Sequence, residues 1–389
     1  MTDLYLHDPT PSPAWLPFAD CRPIAELRAG AWLIRERWEA IAEGETRAVH
    51  AAEHLVEFAE DGVPAVTAPG RVDGPAIIGH STFAPSGVRP DLPAEPARLE
   101  NEGNTVGWWV PQGEHWEPGV ELATGVEIEG LLLHGSYDLI TALEHLLVAD
   151  TADFTHEPGD PLPQGVVVIG DPADVVILGA VVEPGVVFDL RSGAVVIEQH
   201  GYVKGGTRFE GPVYVGPGCE ILGGQVSRCS IGPRCKVRGE IADSVLVGYA
   251  NKAHDGYVGH SVLGRWVNVG AGTTTSNLKN TYGSVRLNVA GERIDTGRRN
   301  LGSLFGDHAK IAIGTFLDTG TVVGVGANVF GAVRPPKYVA PFAWGCEGET
   351  MSRDGFLTVA SRVMPRRQVQ VSDAVRASLG RIYDRATAQ

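Results

Sequence analysis

The chain has 389 residues, 43% apolar and 20% charged, with 50 glycines, 26 prolines and a formal net charge of −15. Such a length implies two or three domains, and such a composition an ordinary globular chain rather than a disordered or fibrous one. The acid excess, with a pI near 5.2, repels phosphate backbones, so nucleic acid is not expected as a partner and a small anionic substrate would need a local basic pocket.

The chain opens on MTDLYLHDPTPSP, which has neither a basic n-region nor an apolar h-region. No apolar run is long enough to span a bilayer, so a cytoplasmic protein without a membrane partner is expected. Residues 2–6 read as a short buried strand, followed by a proline-punctuated loop. From Ile24 to Ala42, apolar residues recur at helical spacing (Ile24, Leu27, Ala31, Ile34, Trp38, Ile41), which predicts one helix over 24–42. Short strands are expected in VPAVTAPG and GPAIIGHSTFAP, a proline-rich surface excursion over 87–99, and a second helix over 136–148. Strands mixed with helices make residues 1–155 a small α/β domain, large enough to bury its own core.

The linker HEPGDPLPQG follows, stiffened by Pro158, Pro161 and Pro163. A six-residue rhythm then begins, in which an aliphatic residue often precedes glycine: Val215-Gly216, Ile231-Gly232, Val247-Gly248, Val258-Gly259, Leu263-Gly264, Val269-Gly270. A period of six predicts a parallel β-helix, in which each hexapeptide forms one side of a prism and three sides close a coil of about 18 residues. Aliphatic side chains point inward and stack, so several coils must add up before any is stable. Cys219, Cys229 and Cys235 fall in this region. The five cysteines form no C-x-x-C pair and read as buried thiols in a reducing cytosol. The rhythm breaks between Asn277 and His308, where an extended loop or hairpin is expected to leave the prism. It resumes at Ile313-Gly314 and stops at Pro335-Pro336. A helix over 372–386, N-capped by Ser372, closes the chain.

Polar side chains interrupt the rhythm between residues 238 and 280: Arg238, Asn251, Lys252, His254, Tyr257, Asn268 and Asn277. The cluster is suited to chemistry and interrupts the scaffold, so it needs its own explanation. A trimeric β-helix can also hold zinc through three histidines. His254, His260 and His308 lack the usual spacing, so no metal is expected.

The stretches GYANKAHDGYVGHSVLGRW, NVGAGTTTSNLKNTY and TVVGVGANVFG, with PFADCRPIAELRAGAWLIRERWE near the start, resemble a known family. It is that of the bifunctional N-acetylglucosamine-1-phosphate uridyltransferase / glucosamine-1-phosphate N-acetyltransferases, in a divergent sugar nucleotidyltransferase-like branch. The resemblance implies a reduced nucleotidyltransferase-like α/β domain (1–155), a left-handed β-helix acyltransferase domain (156–350) and a C-terminal extension with a helix (351–389). It implies acetyl-CoA as co-substrate and His254 as general base. The acetyl transfer so implied would need a base near neutral pKa, a held thioester and a donor for the carbonyl oxygen, for which the backbone N–H groups of Gly270–Gly272 are one candidate. Arg238, Lys252, Tyr257 and Asn268 would hold the amino-sugar 1-phosphate, and Asn277, Lys279, Ala271 and Gly272 the CoA side. It also implies a homotrimer with sites between subunits. The place of the family's second phosphate-binding lysine is not matched, and Lys252 or Lys279 would replace it. The family's glycine-rich loop after the first strand is replaced by LYLHDPTPSP, which argues against uridylyl transfer by residues 1–155. Arg22, Arg28, Arg35 and Asp8 are that half's candidates for contacting an anion. The alternatives are therefore a Mg2+-dependent sugar-1-phosphate nucleotidyltransferase acting through the N-terminal half, and a non-catalytic nucleotide-sugar binder.

Overall fold

The computed structural model describes residues 2–8 and 12–388. Pro9, Thr10 and Pro11 of the expected proline loop lie outside the described residues. The N-terminal part is built on a mixed seven-stranded sheet. Asp3–His7 lies near its centre, parallel to Thr46–His50 on one side and Ala76–His80 on the other. Asn104–Val110 and Ala97–Asn101 extend it antiparallel. Leu4 and Leu6 point to one face and are fully buried. The alternation of the strand thus sends Tyr5 and His7 to the other.

Helix α1 (Ile34–Ala42) packs on the Leu4–Leu6 face. Trp38 lies where Gly79 and Gly107 leave no Cβ in its way, and its indole N–H donates to the carbonyls of His80 and Phe83 at 3.1 and 3.2 Å. The single helix expected over 24–42 is corrected. Ile24–Glu26 is one 3-10 turn, Arg28–Ala29 and Trp32–Leu33 form a tiny hairpin, and α1 starts only at Ile34. Gly30 turns that hairpin at φ +66, a left-handed conformation that glycine adopts without strain. The Asp150 carboxylate then fixes the turn by accepting from the Ala31 N–H at 2.8 Å. The second helix, α2 (Asp138–Asp153), runs longer than expected. Ala97–Asn101, the end of the expected proline-rich excursion, is instead a strand with Ala97 and Leu99 buried.

From Val167 to Val339, nineteen short strands form a single ladder, and every pairing in it is parallel: this is the β-helix. Coils run from 15 residues (Gly224 opposite Gly239) to 21 (Val181 opposite Tyr202) rather than a uniform 18. The inward positions form one continuous core in which Phe188 stacks on Phe209 with ring centres 5.6 Å apart. Cys219, Cys229 and Cys235 are buried in that core as free thiols. Val262 pairs with Leu304, so the interruption leaves between two consecutive coils. It carries the hairpin Arg286–Val289/Glu292–Asp295. Leu287 and Val289 are buried, and Arg298 reaches α2 at Thr141 and Glu144. A further rung, Tyr338–Val339, follows the proline pair at which the rhythm stops.

Helix α3 (Arg353–Val363) went unread in the sequence, although Ser352 caps it by accepting from Gly355 N. Helix α4 (Asp373–Thr387) is capped by Ser372 through Val375 N, as expected. Both pack with Trp266 and Phe342 against one corner of the prism. No described helix is long and apolar enough to cross a membrane.

The N-terminal part is fastened to the prism by buried charge. Arg22 donates to Asp307 through Nε at 2.8 Å and Nη2 at 2.6 Å, and to Glu60 at 3.0 Å; Arg265 reaches Glu60 at 2.8 Å. The Arg265 and Arg22 guanidiniums hold the Glu60 carboxyl down at about 2, against the pull of its burial. Removing one member of such a network strands its partner's charge. Asp307→Ala should therefore lose about 3–5 kcal/mol in urea unfolding. Glu60's folded pKa lies below its ordinary 4.5, so its contribution is complete above that pH and fades as the pH falls toward 2. Glu60→Gln should flatten that acid limb of the stability curve.

Candidate functional site

Strand parity sorts the polar cluster. Asn251 and Lys252 form one rung, with Asn251 outward and Lys252 inward opposite Val237. Lys252 is fully buried, and its ammonium donates to the carbonyls of Arg238 (3.3 Å) and His254. Burial pushes its pKa down, to about 8. The lysine expected to hold substrate stands inside the prism, where two of its three donors go to backbone oxygens at the next corner.

That corner carries His254, exposed and without a side-chain hydrogen bond to any described residue. Asp255 beside it accepts from Arg238 Nε of the coil below at 2.9 Å, and Arg238 Nη1 also donates to Leu222 O at 3.0 Å. Part of the Arg238 side chain stays open to solvent. The Gly270–Gly272 corner lies one coil above. Gly272 N donates to Asp255 O at 2.8 Å and Gly270 N to Ile311 O at 2.9 Å, while Ala271 O accepts from Gly314 N. The N–H groups of Gly270 and Gly272 hold coils together, so they are not free to receive a carbonyl oxygen. Lys279 likewise turns to Ser284 O at 2.8 Å within its own loop.

Tyr257 and Asn277 are brought together. The Asn277 amide donates to the Tyr257 hydroxyl at 3.1 Å and to His260 Nδ1 at 2.8 Å. His260 was weighed in the sequence only as a metal ligand. In the fold it stands at a prism corner below which Asp243 and then Arg228 occupy the same place, all three at left-handed φ (46°, 48° and 47°). Arg228 grips Asp243 at 2.6 and 2.8 Å, and Asp243 lies 3.8 Å from His260 Nε2. Burial lowers the His260 pKa despite that carboxylate, so the ring is neutral. Its Nδ1 is an acceptor and its proton sits on Nε2, facing Asp243. The Tyr257 hydroxyl, already an acceptor from Asn277, directs its own proton elsewhere. Burial raises its pKa, so it remains a phenol and a donor. Asn268 stands apart from this group. It accepts from Asn251 Nδ2 at 2.9 Å on the outward face.

In the N-terminal part, the four residues considered for an anion are all engaged internally. Arg22 is in the buried network, Arg28 reaches Ala31 O, Arg35 pairs with Glu26 and Glu39, and Asp8 accepts from Ile24 N. Instead, three adjacent parallel strands end in aligned histidines, His50, His7 and His80, packed edge and face against Trp108 and Trp116. The endings YLH, AVH and IIGH carried that signal. The location, at the carboxyl ends of parallel strands, is where open α/β sheets bind ligands.

Residues 4–157 match the sugar nucleotidyl transferase family. Among curated proteins, the chain is 39% identical over 95 residues to a bifunctional sugar-1-phosphate nucleotidylyltransferase/acetyltransferase of Sulfurisphaera tokodaii. It is 34% identical over 93 residues to the bifunctional protein GlmU of Methanococcus vannielii, and 32% identical over 85 residues to that of Methanocaldococcus jannaschii. These matches span 22–24% of this chain and 21–24% of the relatives' lengths.

A methyl group at Gly259 would overlap the Tyr257 hydroxyl, which lies back along its own strand over that glycine. Gly259→Ala should displace the phenol from Asn277 and cost about 1–3 kcal/mol in thermal or urea unfolding. The tyrosine's ultraviolet titration should also move toward its ordinary pKa. The chain is thus similar over residues 4–157 to sugar nucleotidyl transferases, and over about a quarter of its length to enzymes that pair nucleotidyl transfer with acetyl transfer.

Proposed function

We propose that the β-helix is an acetyl-CoA-dependent N-acetyltransferase acting on an amino-sugar 1-phosphate, and that the units 1–155, 156–350 and 351–389 serve it as sheet domain, catalytic prism and C-terminal extension. The observation that carries this reading is the open imidazole of His254 above Arg238, on a corner flanked by the Asn277–Tyr257 pair. The sugar amine attacks the thioester carbonyl, forming the N–C bond. His254 takes the amine proton, the C–S bond breaks, and the proton passes to the departing thiolate to give free CoA. The Tyr257 O–H, oriented by Asn277 and His260, replaces the Gly270–Gly272 backbone as donor to the carbonyl oxygen. No covalent enzyme intermediate is involved, which agrees with cysteines that are buried or without an activating neighbour.

This reading calls for a homotrimer. Ile313, Phe316 and Val333 are 76%, 46% and 65% exposed on the coils that continue from the Gly270–Gly272 corner. An apolar stripe there favours closure against a second and third copy. Ile313→Asp with Val333→Asp should give a monomer by light scattering, with acetylation lost. His254→Ala, assayed by thiol release from acetyl-CoA with glucosamine-1-phosphate, should drop turnover about 10²–10⁴-fold; undiminished release would end the mechanism. Tyr257→Phe should lower kcat more than it raises KM, since a transition-state donor is what is removed.

The family match of residues 4–157 favours nucleotidyl transfer as a second reading. Among the described residues, no three His, Cys, Asp or Glu side chains converge to hold a cation, and Asp8 is bonded to backbone. A Mg2+ ion there would rest on at most two such side chains together with the phosphates of the nucleotide. Pyrophosphate release from UTP and a sugar 1-phosphate would establish this activity. Tight binding of a nucleotide sugar without product in either assay would instead point to a binding protein.

A further inference from the structure

The outward face of the Asn251 rung borders a cleft of about 290 Å³, closed on its far side by the C-terminal segment. Its floor is the stacked pair Asn251 and Asn268. Its lid is Arg366 and Arg367, on the short turn after α3. Arg367 Nη2 donates to Asn251 Oδ1 at 3.1 Å, and its Nε is buried without a partner. The segment is anchored from below, where Arg234 Nη1 donates to Arg367 O at 3.0 Å and to Gln368 Oε1 at 2.8 Å. Lys310 spends two of its hydrogens on Trp266 O and His308 O, at 2.9 and 2.8 Å, and has one left.

The charge balance of this place is unusual. Two adjacent guanidiniums sit in a chain of net charge −15, and neither has a carboxylate within 4 Å among the described residues. Burial lowers the Arg367 pKa and Arg366 adds to that, while Glu220, already paired with Lys236, works against it. Leaving a half-dehydrated guanidinium and a buried N–H unpaired is costly unless an anion completes them. Guanidinium pairs with flanking amides fit a phosphate, whose oxygens accept several N–H donors at once. Asn251 is three residues from His254, so their Cα atoms lie at most about 11 Å apart.

We infer that this cleft binds a phosphomonoester, gripped by Arg366 and Arg367 and by the amides of Asn251 and Asn268. The cleft thereby supplies the phosphate contact that Lys252 and Lys279 do not. The inference draws on the acetyltransferase reading only for the two ligands that would bring such a group: the sugar 1-phosphate, or CoA through its 3′-phosphate.

Calorimetric titration of the full chain with four probes tests it: glucosamine-1-phosphate, glucosamine, CoA and 3′-dephospho-CoA. The wild type should prefer the phosphorylated member of one pair by at least about tenfold, and which pair it is names the source. Arg366→Gln/Arg367→Gln should abolish that preference while keeping its far-ultraviolet circular dichroism and melting temperature. His254→Ala should retain it. If neither pair is discriminated, or the double variant discriminates as well as the wild type, the inference fails. If the double variant melts early, the single variant Arg366→Gln, at the exposed position, decides by the same criterion. Phosphate preference without acetyl transfer to any amino sugar would overturn the catalytic reading and leave the cleft standing.

Discussion

The coil-to-coil hydrogen-bond ladder is the constraint on which the rest depends. Each short rung bonds to the rung one coil away, as Asn251 N does to Val267 O and Asn268 N to Ala309 O. Residues one coil apart, 15 to 21 in sequence except where the excursion after Asn277 intervenes, are therefore superposed in space, and side chains of one parity form columns on one face. Two columns matter here. One is Asn251, Asn268 and Lys310, which floors the cleft. The other is Arg228, Asp243 and His260 at a corner, which aligns three charged or titratable groups without any being close in sequence.

The same ladder limits what the site can use. Backbone donors that a glycine-rich corner seems to offer are already committed between coils. An inward lysine can only survive by turning its ammonium to carbonyls at the next corner, as Lys252 does. Catalytic donors must then come from outward side chains, and these need to be held. Tyr257 is held by Asn277, and Asn277 is shared with a neutral His260. The tautomer of one imidazole thereby sets the direction of a phenol proton. Burial acts on both titratable members, and it keeps the Tyr257 phenol and the His260 imidazole in the neutral forms that this chain of donors and acceptors requires.

The prism was legible because few folds besides a parallel β-helix place an aliphatic-glycine step every six residues, and the excursion after Asn277 was legible as a break in that period. The helix expected over 24–42 failed because its apolar spacing continues through Ile24 and Leu27 into α1, while one left-handed glycine, Gly30, interrupts the backbone without interrupting the pattern. The inward place of Lys252 was not legible because a lysine on an inward position contradicts the usual pattern, and only the parity of its rung, fixed by pairing, reveals it. His260 was visible as a residue but not as Asn277's partner, since a contact across 17 residues depends on coil length, and coils here vary from 15 to 21. The cleft was out of reach for the same reason. Arg367 meets Asn251 across 116 residues, and nothing in the period of the repeats says where the chain returns after leaving them.

That return gives the C-terminal extension a physical role beyond covering the prism. An acidic protein repels the phosphorylated molecules that its relatives' names call for, and at physiological ionic strength that repulsion is screened over about 8 Å. Only charges within that distance of a ligand then decide whether it is held. The prism's own outward basic groups near the imidazole are largely neutralised: Arg238 by Asp255, Arg228 by Asp243, Lys236 by Glu220. Arg366 and Arg367, without a carboxylate partner among the described residues, arrive from outside the repeats on the turn between α3 and α4, and Arg234 of the prism holds that turn through Arg367 O and Gln368 Oε1. The repeats supply shape, amides, the imidazole and the anchoring Arg234, and a segment distant in sequence adds two guanidiniums. In the proposed site, attraction for an anion therefore rests on the placement of that turn rather than on the coil that carries His254.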